Sequence, residues 1–378
     1  MSDVLATLAD LIRLNTVNPA YNDDGTEANA APFIRRFFSE RKIETTEQEV
    51  FPGRHNILAR LPGRTRRRLV LEAHTDTVSI KGMTIPPFEP VLKDGRPYGR
   101  GAVDDKAGVA AMMHALASIN ADGIVPPCEV LFAAVVDEEF SYRGVVRLCE
   151  GLEADAAIVA EPTELRVVVA SKGVLRFRVS THGKAAHSAK PHLGNNAISH
   201  MARLVLALEE ENKRFSSSPH PLLGSPTVNV GVIHGGVQVN LVPDRCTIEI
   251  DRRLLPGETA SSVLRLYQAL LDRLKQEQPS FDATLEEPPL LVDEALDTPV
   301  DSHLVRVAQE VLAKLGLDAS PCGVPFGSDA SKLSRAGLPT ILFGPGSIDQ
   351  AHSVDEYIEV TQVAQAAAFY RQFILDFA

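Results

Sequence analysis

Apolar residues in the first part of the chain follow two patterns, helical spacing and short uninterrupted runs. The segment 4–12 repeats its apolar residues at helical spacing, which predicts an opening helix, and 107–119 predicts a second helix. The segments 130–136 and 156–160 are continuous apolar runs of strand length. Such runs are typical of strands buried on both faces, so we expect an α/β domain in which helices cover a sheet.

The pattern changes from about Ser171 onward. Apolar and polar residues alternate through 175–180, as in a strand with one face in water. Two further helices and two further strands are predicted at 197–211, 228–233, 246–250 and 259–275. After Pro288 the buried pattern resumes, with elements predicted at 302–315, 340–343 and 362–376. We therefore expect a smaller α+β domain, 171–285, inserted into a larger domain made of 1–170 and 286–378.

Charge and composition exclude several classes of function. The chain carries 38 Lys+Arg against 49 Asp+Glu, a net charge of −11, whereas nucleic-acid binding needs clustered positive charge. Its longest apolar run, 130–136, is far shorter than the ~18 to 20 residues that span a bilayer. The start, Met1–Val4, lacks the features of a signal peptide, and the 4 cysteines are widely separated, as in free thiols of a reducing compartment. A cytoplasmic enzyme that binds neither nucleic acid nor membrane is expected.

Residues able to bind metal follow the predicted strands, where each strand ends. In chain order they are His74, Asp76, Asp104, Asp105, Glu138, Glu139, Glu161 and His352. In open α/β sheets ligands bind at the carboxyl ends of the strands, so these side chains are expected to converge. Two imidazoles and several carboxylates suit a pair of divalent cations, Zn²⁺ foremost, with Co²⁺ and Mn²⁺ as other candidates.

Taken in order, these motifs resemble a known family, the co-catalytic zinc hydrolases. That family includes acetylornithine deacetylase, succinyl-diaminopimelate desuccinylase, aminoacylase and glutamate carboxypeptidase. The resemblance extends from His74 to His352, almost the whole chain. It implies a zinc-peptidase-like catalytic domain with a mixed sheet covered by helices, interrupted by an α+β lid domain through which the chain forms a homodimer.

The resemblance also implies the ligands of two metal ions. His74 and Glu161 would bind one ion, Glu139 and His352 the other, and Asp104 would bridge them. A cis peptide bond would follow the bridging aspartate.

Further roles are implied for residues near these ligands. Asp76 would accept the second ring N–H of His74 and fix its tautomer. Glu138 would be the general base that takes a proton from the metal-activated water and passes it to the leaving amine. In the lid, His187 of the Gly183–Ala189 motif would stabilise the oxyanion, commonly in the partner subunit's site.

Two lid residues, Asn240 and Arg253, resemble the family's clamp for a substrate carboxylate, a task that suits the planar guanidinium of arginine. The stretch 344–352 resembles the acetylornithine deacetylase branch. The desuccinylases carry Ser-Asp-Gly-Arg-Phe where this chain has Ser328–Lys332, so their arginine is missing. The same loop also departs from the deacetylase pattern, which leaves the substrate open.

These observations favour a metal-dependent amidohydrolase of small N-acyl-L-amino acids, with N-acetylornithine as the leading substrate. A carboxypeptidase, dipeptidase or desuccinylase of the same family is the main alternative. An aminopeptidase is disfavoured because Arg253 would read a carboxylate. A non-catalytic binding protein would be expected to lose Glu138 or a metal ligand, and all of these positions are filled.

Overall fold

The computed structural model describes residues 3–21, 24–215 and 219–378. Met1 and Ser2, which belong to the N-terminal stretch considered for a targeting signal, lie outside the described residues. The described residues of Met1–Val169, Thr298–Cys322 and Ser328–Ala378 form a larger compact unit. Those of Ala170–Asp297 and Gly323–Gly327 form a smaller unit.

The helices of the described chain are α1 (Asp3–Ile12), α2 (Ala30–Glu40), α3 (Lys106–Ala121), α4 (Arg143–Cys149), α5 (Ala197–Phe215), α6 (Ala260–Glu277), α7 (His303–Lys314), α8 (Ala330–Arg335) and α9 (Val360–Asp376). The strands are β1 (Glu44–Phe51), β2 (Arg54–Leu61), β3 (Arg68–His74), β4 (Val91–Lys93), β5 (Arg96–Tyr98), β6 (Glu129–Val135), β7 (Ala156–Val159), β8 (Val168–Ser171), β9 (Gly173–His182), β10 (Ala186–His187), β11 (Thr227–Gly235), β12 (Leu241–Val242), β13 (Arg245–Leu254), β14 (Ala283–Leu285), β15 (Leu291–Asp293), β16 (Leu296–Asp297), β17 (Cys322–Val324) and β18 (Thr340–Leu342).

The larger unit is built on a mixed sheet with the strand order β1-β2-β6-β3-β7-β18-β8. Its four central strands, β6, β3, β7 and β18, are parallel, and β1, β2 and β8 pair antiparallel. In register, Leu71 lies between Phe132 and Ile158, and all three are fully buried. The predicted strands 130–136 and 156–160 are therefore confirmed as central strands of an α/β sheet.

Helices cover this sheet, and α3 is the most deeply buried of those described. It packs against α1 and α9, and apolar and small residues occupy nearly all of its sides. A helix that is apolar all round needs neighbours all round, which the sheet and the two helices provide. Ser302 caps the N-terminus of helix α7, and its side chain accepts the N–H of Val305.

The smaller unit is an antiparallel sheet, β11-β13-β9-β14, with β15 also pairing with β9, and α5 and α6 pack on one face. The predicted alternation is seen in β9 over 175–179, where Leu175 and Phe177 are buried and Arg176 is exposed, but it ends at Ser180, which is buried. Helix α6 begins with a capping box in which Thr259 and Ser262 satisfy each other's backbone N–H.

The boundaries of the smaller unit differ from the predicted inserted domain, 171–285. The unit continues to Asp297 because β15 pairs with β9 and β16 pairs with Ala170 and Ser171. These strands hold only two or three residues each, too few for a sequence period to show. Among the described residues, no helix combines the length and apolar character needed to cross a membrane.

Candidate metal centre

The parallel strands of the larger unit bring the predicted site residues to one edge. His74 is the last residue of β3, Glu138 and Glu139 follow β6, and Glu161 follows β7. The turn after β18 leads to His352. Because the carboxyl ends of parallel strands meet at the same edge, residues far apart in sequence come together.

Asp104 lies between the two histidines and faces each with a different oxygen. Its Oδ1 is 2.9 Å from Nε2 of His74, and its Oδ2 is 3.3 Å from Nε2 of His352. Oε1 of Glu139 is 3.2 Å from the same His352 nitrogen. Ligand atoms of Asp104, Glu139 and His352 all lie within 4.8 Å of one another, which suits one cation. A carboxylate with one oxygen toward each imidazole suits a bridge between two cations.

The charges of the site are crowded and poorly solvated. Burial raises the pKa of Glu161 well above its ordinary value, and the neighbouring Glu138 and Asp104 raise it further. Burial likewise raises the pKa of Glu138 and Glu139. Burial would also raise the pKa of Asp104, but hydrogen bonds with His352 and His74 hold it below the ordinary value.

The pKa of the His352 imidazole is also raised, but the main cause is its carboxylate neighbours and not burial. Hydrogen bonds with Asp104 and then Glu139 raise its pKa to about 10. The carboxylates therefore favour any cation placed among them, a proton included. Oxygen and imidazole donors in this arrangement fit two divalent metal ions.

The second ring nitrogen of His74 is predicted to donate to the carboxylate of Asp76, and the structure differs on this point. Nδ1 lies 3.0 Å from the backbone carbonyl oxygen of Asp76 but 3.6 Å from its carboxylate Oδ1. The main acceptor is thus the carbonyl rather than the side chain. The effect on the ring is the predicted one, since an N–H at Nδ1 leaves the Nε2 lone pair facing Asp104.

The Asp76 carboxylate has a different task, which is to hold the loop after β6. Its Oδ1 accepts the N–H of Glu138 at 3.0 Å, and its Oδ2 accepts the N–H of Glu139 at 3.1 Å. The side-chain amide of Asn18 donates to Oδ2 at 2.8 Å. Asp76 thereby fixes the backbone of both glutamates.

Asn18 is a buried residue that the sequence analysis did not identify. Its amide nitrogen also donates to Oδ1 of Asp137 at 3.0 Å, so one amide joins two carboxylates. Arg54 donates to Asp137 at 3.2 Å and pairs with the buried Glu27. Burial, followed by the nearby charge of Asp76, raises the pKa of Glu27 to about 7. Nothing in the pattern around Asn18 separates it from an ordinary polar residue before a proline.

The loop that carries Asp104 has the implied cis peptide bond between Asp104 and Asp105. The buried carboxylate of Glu356 accepts hydrogen bonds from the backbone of this loop and from Arg100. Sequence analysis assigned no role to Glu356, since its contacts lie more than 200 positions away along the chain.

Glu72 and Asp329 form a second buried acidic pair in the larger unit. Both are fully buried, and neither carboxylate has a donor among the described residues. Burial raises the pKa of Glu72 well above its ordinary value and that of Asp329 to about 7. The charge of Asp329 adds to the raised pKa of Glu72, as expected where two buried carboxyl groups compete for protons.

The remaining predicted residues belong to the smaller unit. His187 and Asn240 are exposed, and Nδ1 of His187 accepts the N–H of Ala189 at 3.1 Å. Arg253 donates through Nε to Asp251 at 2.9 Å, and its side chain is 29% exposed. Arg253 thus forms an ion pair within its own strand.

Comparison with known proteins adds independent findings. The sequence model described as peptidase family M20/M25/M40 matches residues 70–376. The chain is 31% identical over 396 residues to an acetylornithine deacetylase from Myxococcus xanthus, covering 100% of this chain and 99% of that protein. An acetylornithine deacetylase from Photorhabdus laumondii is 32% identical over 360 residues, covering 92% and 89%.

A similar fold is found among solved structures. A tripeptidase from Staphylococcus aureus superimposes with a TM-score of 0.80 at 23% identity, covering 99% of this chain and 97% of that one. At this identity the likeness concerns the fold. It agrees with the expected zinc-peptidase-like architecture.

Proposed function

The chain belongs to peptidase family M20/M25/M40 and is a hydrolase, and from this premise we propose that it cleaves the amide bond of a small N-acyl-L-amino acid. N-acetylornithine is the leading substrate, because the full-length relatives described above are acetylornithine deacetylases. The observation that carries the proposal is the position of Asp104. Its two carboxylate oxygens face two different histidines, and its charge acts on the nearby Glu138.

The proposed metal ligands are His74, Asp104, Glu139, Glu161 and His352. Two divalent ions bound there, Zn²⁺ in our proposal, would supply Lewis acidity that polarises the amide carbonyl and acidifies the attacking water. Imidazole and carboxylate donors suit Zn²⁺ best, and Co²⁺ and Mn²⁺ are alternatives.

Glu138 is the proposed general base. It takes a proton from the attacking water and gives it to the leaving amine. Burial raises the pKa of Glu138 above its ordinary value, which is the direction that helps a carboxyl group hold the proton between the two transfers. The hydrogen bonds from Glu138 and Glu139 to Asp76 fix the backbone, so that neighbouring side chains can serve separate tasks.

His187 is proposed as the donor to the oxyanion. Since its Nδ1 accepts a backbone N–H, the neutral ring carries its proton on Nε2, which remains available to donate.

Asn240 and Arg253 are proposed to hold the substrate carboxylate. For this, Arg253 would exchange part of its pairing with Asp251 for the ligand.

We further propose a homodimer formed through the smaller unit, in which His187 acts on substrate bound by the partner chain. Strand β11 lies at the edge of its sheet, and Val232 and Ile233 on it are exposed. Val237 and Val239 in the following loop are 86% and 101% exposed. An unpaired strand edge beside exposed apolar residues supports a contact with a second copy.

Free thiols at all 4 cysteines support a cytoplasmic location.

The test is a substrate panel measured by amine release, with metal content determined on the same preparation. The panel holds N-acetyl-L-ornithine, other N-acetyl amino acids, N-succinyl-diaminopimelate, dipeptides and amino-acid amides with a blocked carboxylate. Glu138→Ala, purified in parallel, is the control for contaminating host enzymes.

The expected result is fastest turnover of N-acetyl-L-ornithine with about two metals per chain. Faster cleavage of dipeptides would replace the deacylase by a dipeptidase, and cleavage of the amides would indicate an aminopeptidase. Activity that survives chelation in metal-free protein would refute the metal-dependent mechanism.

A further inference from the structure

We propose that Glu356 is a positioning residue that fixes the bridging ligand Asp104 relative to His352 and so sets the affinity of the metal centre. This inference rests on the function proposed above, because it concerns the same ligands. Glu356 is not among the proposed metal ligands. It acts on the backbone that carries Asp104.

The carboxylate of Glu356 is fully buried and receives four hydrogen bonds from one short loop. Its Oε2 accepts from Gly101 N at 2.9 Å and from Arg100 Nη1 at 2.8 Å. Its Oε1 accepts from Val103 N at 2.9 Å and from Asp104 N at 3.2 Å. A buried carboxylate is tolerated only with such compensation, and here all of it comes from Arg100–Asp104.

Among the described residues, backbone pairing with the segment that carries Glu356 involves only the start of this loop. Gly99 N donates to the backbone oxygen of Glu356 at 3.0 Å, and Tyr98 forms an isolated bridge with Tyr357. From Gly101 to Asp104 the contact with this segment passes to the Glu356 side chain. The Glu356 side chain therefore binds the part of the loop that follows the paired backbone.

The position of Glu356 in the chain links its hydrogen bonds with the Asp104 loop to the proposed metal centre. Glu356 follows His352 by one short turn, so the same segment supplies a ligand and the support for another. His352 Nε2 lies 3.3 Å from Asp104 Oδ2, and the two residues are far apart in sequence. Glu356 joins the two segments directly beside that contact, which limits how far the ligands can separate in the absence of metal.

The charge and both oxygens of Glu356 are needed for this task. Glutamine keeps the shape but offers one acceptor oxygen, and its NH₂ group would face N–H donors. Removing groups that orient metal ligands typically weakens metal binding by about 10- to 100-fold. We expect a loss in that range, at least tenfold, for Glu356→Gln.

The experiment measures Zn²⁺ affinity of the full chain by competition with a chromophoric chelator, together with kcat and KM. The matched control is Glu359→Gln, since Glu359 is on the same segment but pairs with Arg96 at the surface, at 2.6 Å. Glu356→Asp is the second variant, because it keeps the charge while withdrawing the oxygens by about one bond length, ~1.5 Å. Cooperative unfolding of each metal-free variant shows that it is folded.

The proposal expects Glu356→Gln to bind Zn²⁺ at least tenfold more weakly, Glu356→Asp to lie between it and wild type, and Glu359→Gln to bind like wild type. Excess Zn²⁺ should restore most of the kcat of Glu356→Gln. Wild-type Zn²⁺ affinity in folded Glu356→Gln or Glu356→Asp would overturn the proposal, even if turnover falls. If the proposed metal-dependent function is wrong, the wild-type protein itself binds no Zn²⁺, and that result overturns both proposals.

Discussion

Replacing Asn18 by alanine should destabilise the larger unit and misplace the catalytic loop. One buried amide donates to Asp76 at 2.8 Å and to Asp137 at 3.0 Å. Hydrogen bonds to charged groups contribute about 1.5 to 3 kcal/mol each, so losing both costs up to about 6 kcal/mol. Each carboxylate keeps other donors, Glu139 N at Asp76 and Arg54 at Asp137, which reduces the penalty. We therefore expect a loss of about 3 kcal/mol in the free energy of unfolding.

The assay is urea unfolding of the metal-free protein followed by circular dichroism, because the chain contains 0 tryptophans for fluorescence. The control is Asn29→Ala, which removes one exposed hydrogen bond to the carbonyl of Asn15 at 2.8 Å and should cost about 1 kcal/mol or less. In the holoenzyme, Asn18→Ala should lower kcat by about tenfold or more, since small misplacement of catalytic groups is costly. A variant within 1 kcal/mol of wild type, with normal kcat, would refute the role assigned to this amide.

Three further predictions concern catalysis and pH. Glu138→Gln should keep both metals and lose about 10²- to 10⁴-fold in kcat; substantial turnover would exclude Glu138 as the base. His187→Ala should lower kcat with little change in KM. Mixing His187→Ala with Glu138→Gln should recover activity, because the proposed mixed dimer has one complete site. No recovery after subunit exchange would argue against action of His187 across the dimer. The pKa of Glu27 is about 7 in the folded chain against 4.5 ordinarily, so its contribution to stability is greatest below pH 4.5 and falls by about 3 kcal/mol as the pH rises to 7. Glu27→Gln should lack this fall, and unfolding free energies of both proteins that change in parallel between pH 4 and 8 would contradict the assignment.

Much of the site could be predicted because it depends on local patterns. The apolar run 130–136 becomes β6, Glu129–Val135, and the glutamates that follow it occupy the expected edge of the sheet. A continuous apolar run shows where a buried strand ends, and a parallel sheet brings such ends together. The positions of the proposed ligands thus follow largely from strand ends, and the family resemblance supplies the roles proposed for them.

Other features could not be predicted, since they depend on contacts between distant segments. Strand β1, Glu44–Phe51, is polar and largely exposed because it lies at the edge of the sheet, so no apolar period marks it. Asn18 and Glu356 act through contacts with residues 58 and more than 250 positions away. For His74, sequence reasoning chose a carboxylate acceptor, whereas the backbone carbonyl of the same Asp76 lies closer.

The division of the larger unit into three pieces of chain has a consequence for its synthesis. Residues 170–297 must be made before the unit can receive α7, β18 and α9, and about 130 residues at about 5 to 20 residues per second take roughly 6 to 26 s. During that time the face of α3 that will contact α9 has no partner. The smaller unit, almost continuous in sequence, can form its sheet first. His352 and Glu356 follow the smaller unit in the chain, so a nascent chain already holds His74, Glu139 and Glu161, the proposed ligands at the ends of β3, β6 and β7, before it contains His352.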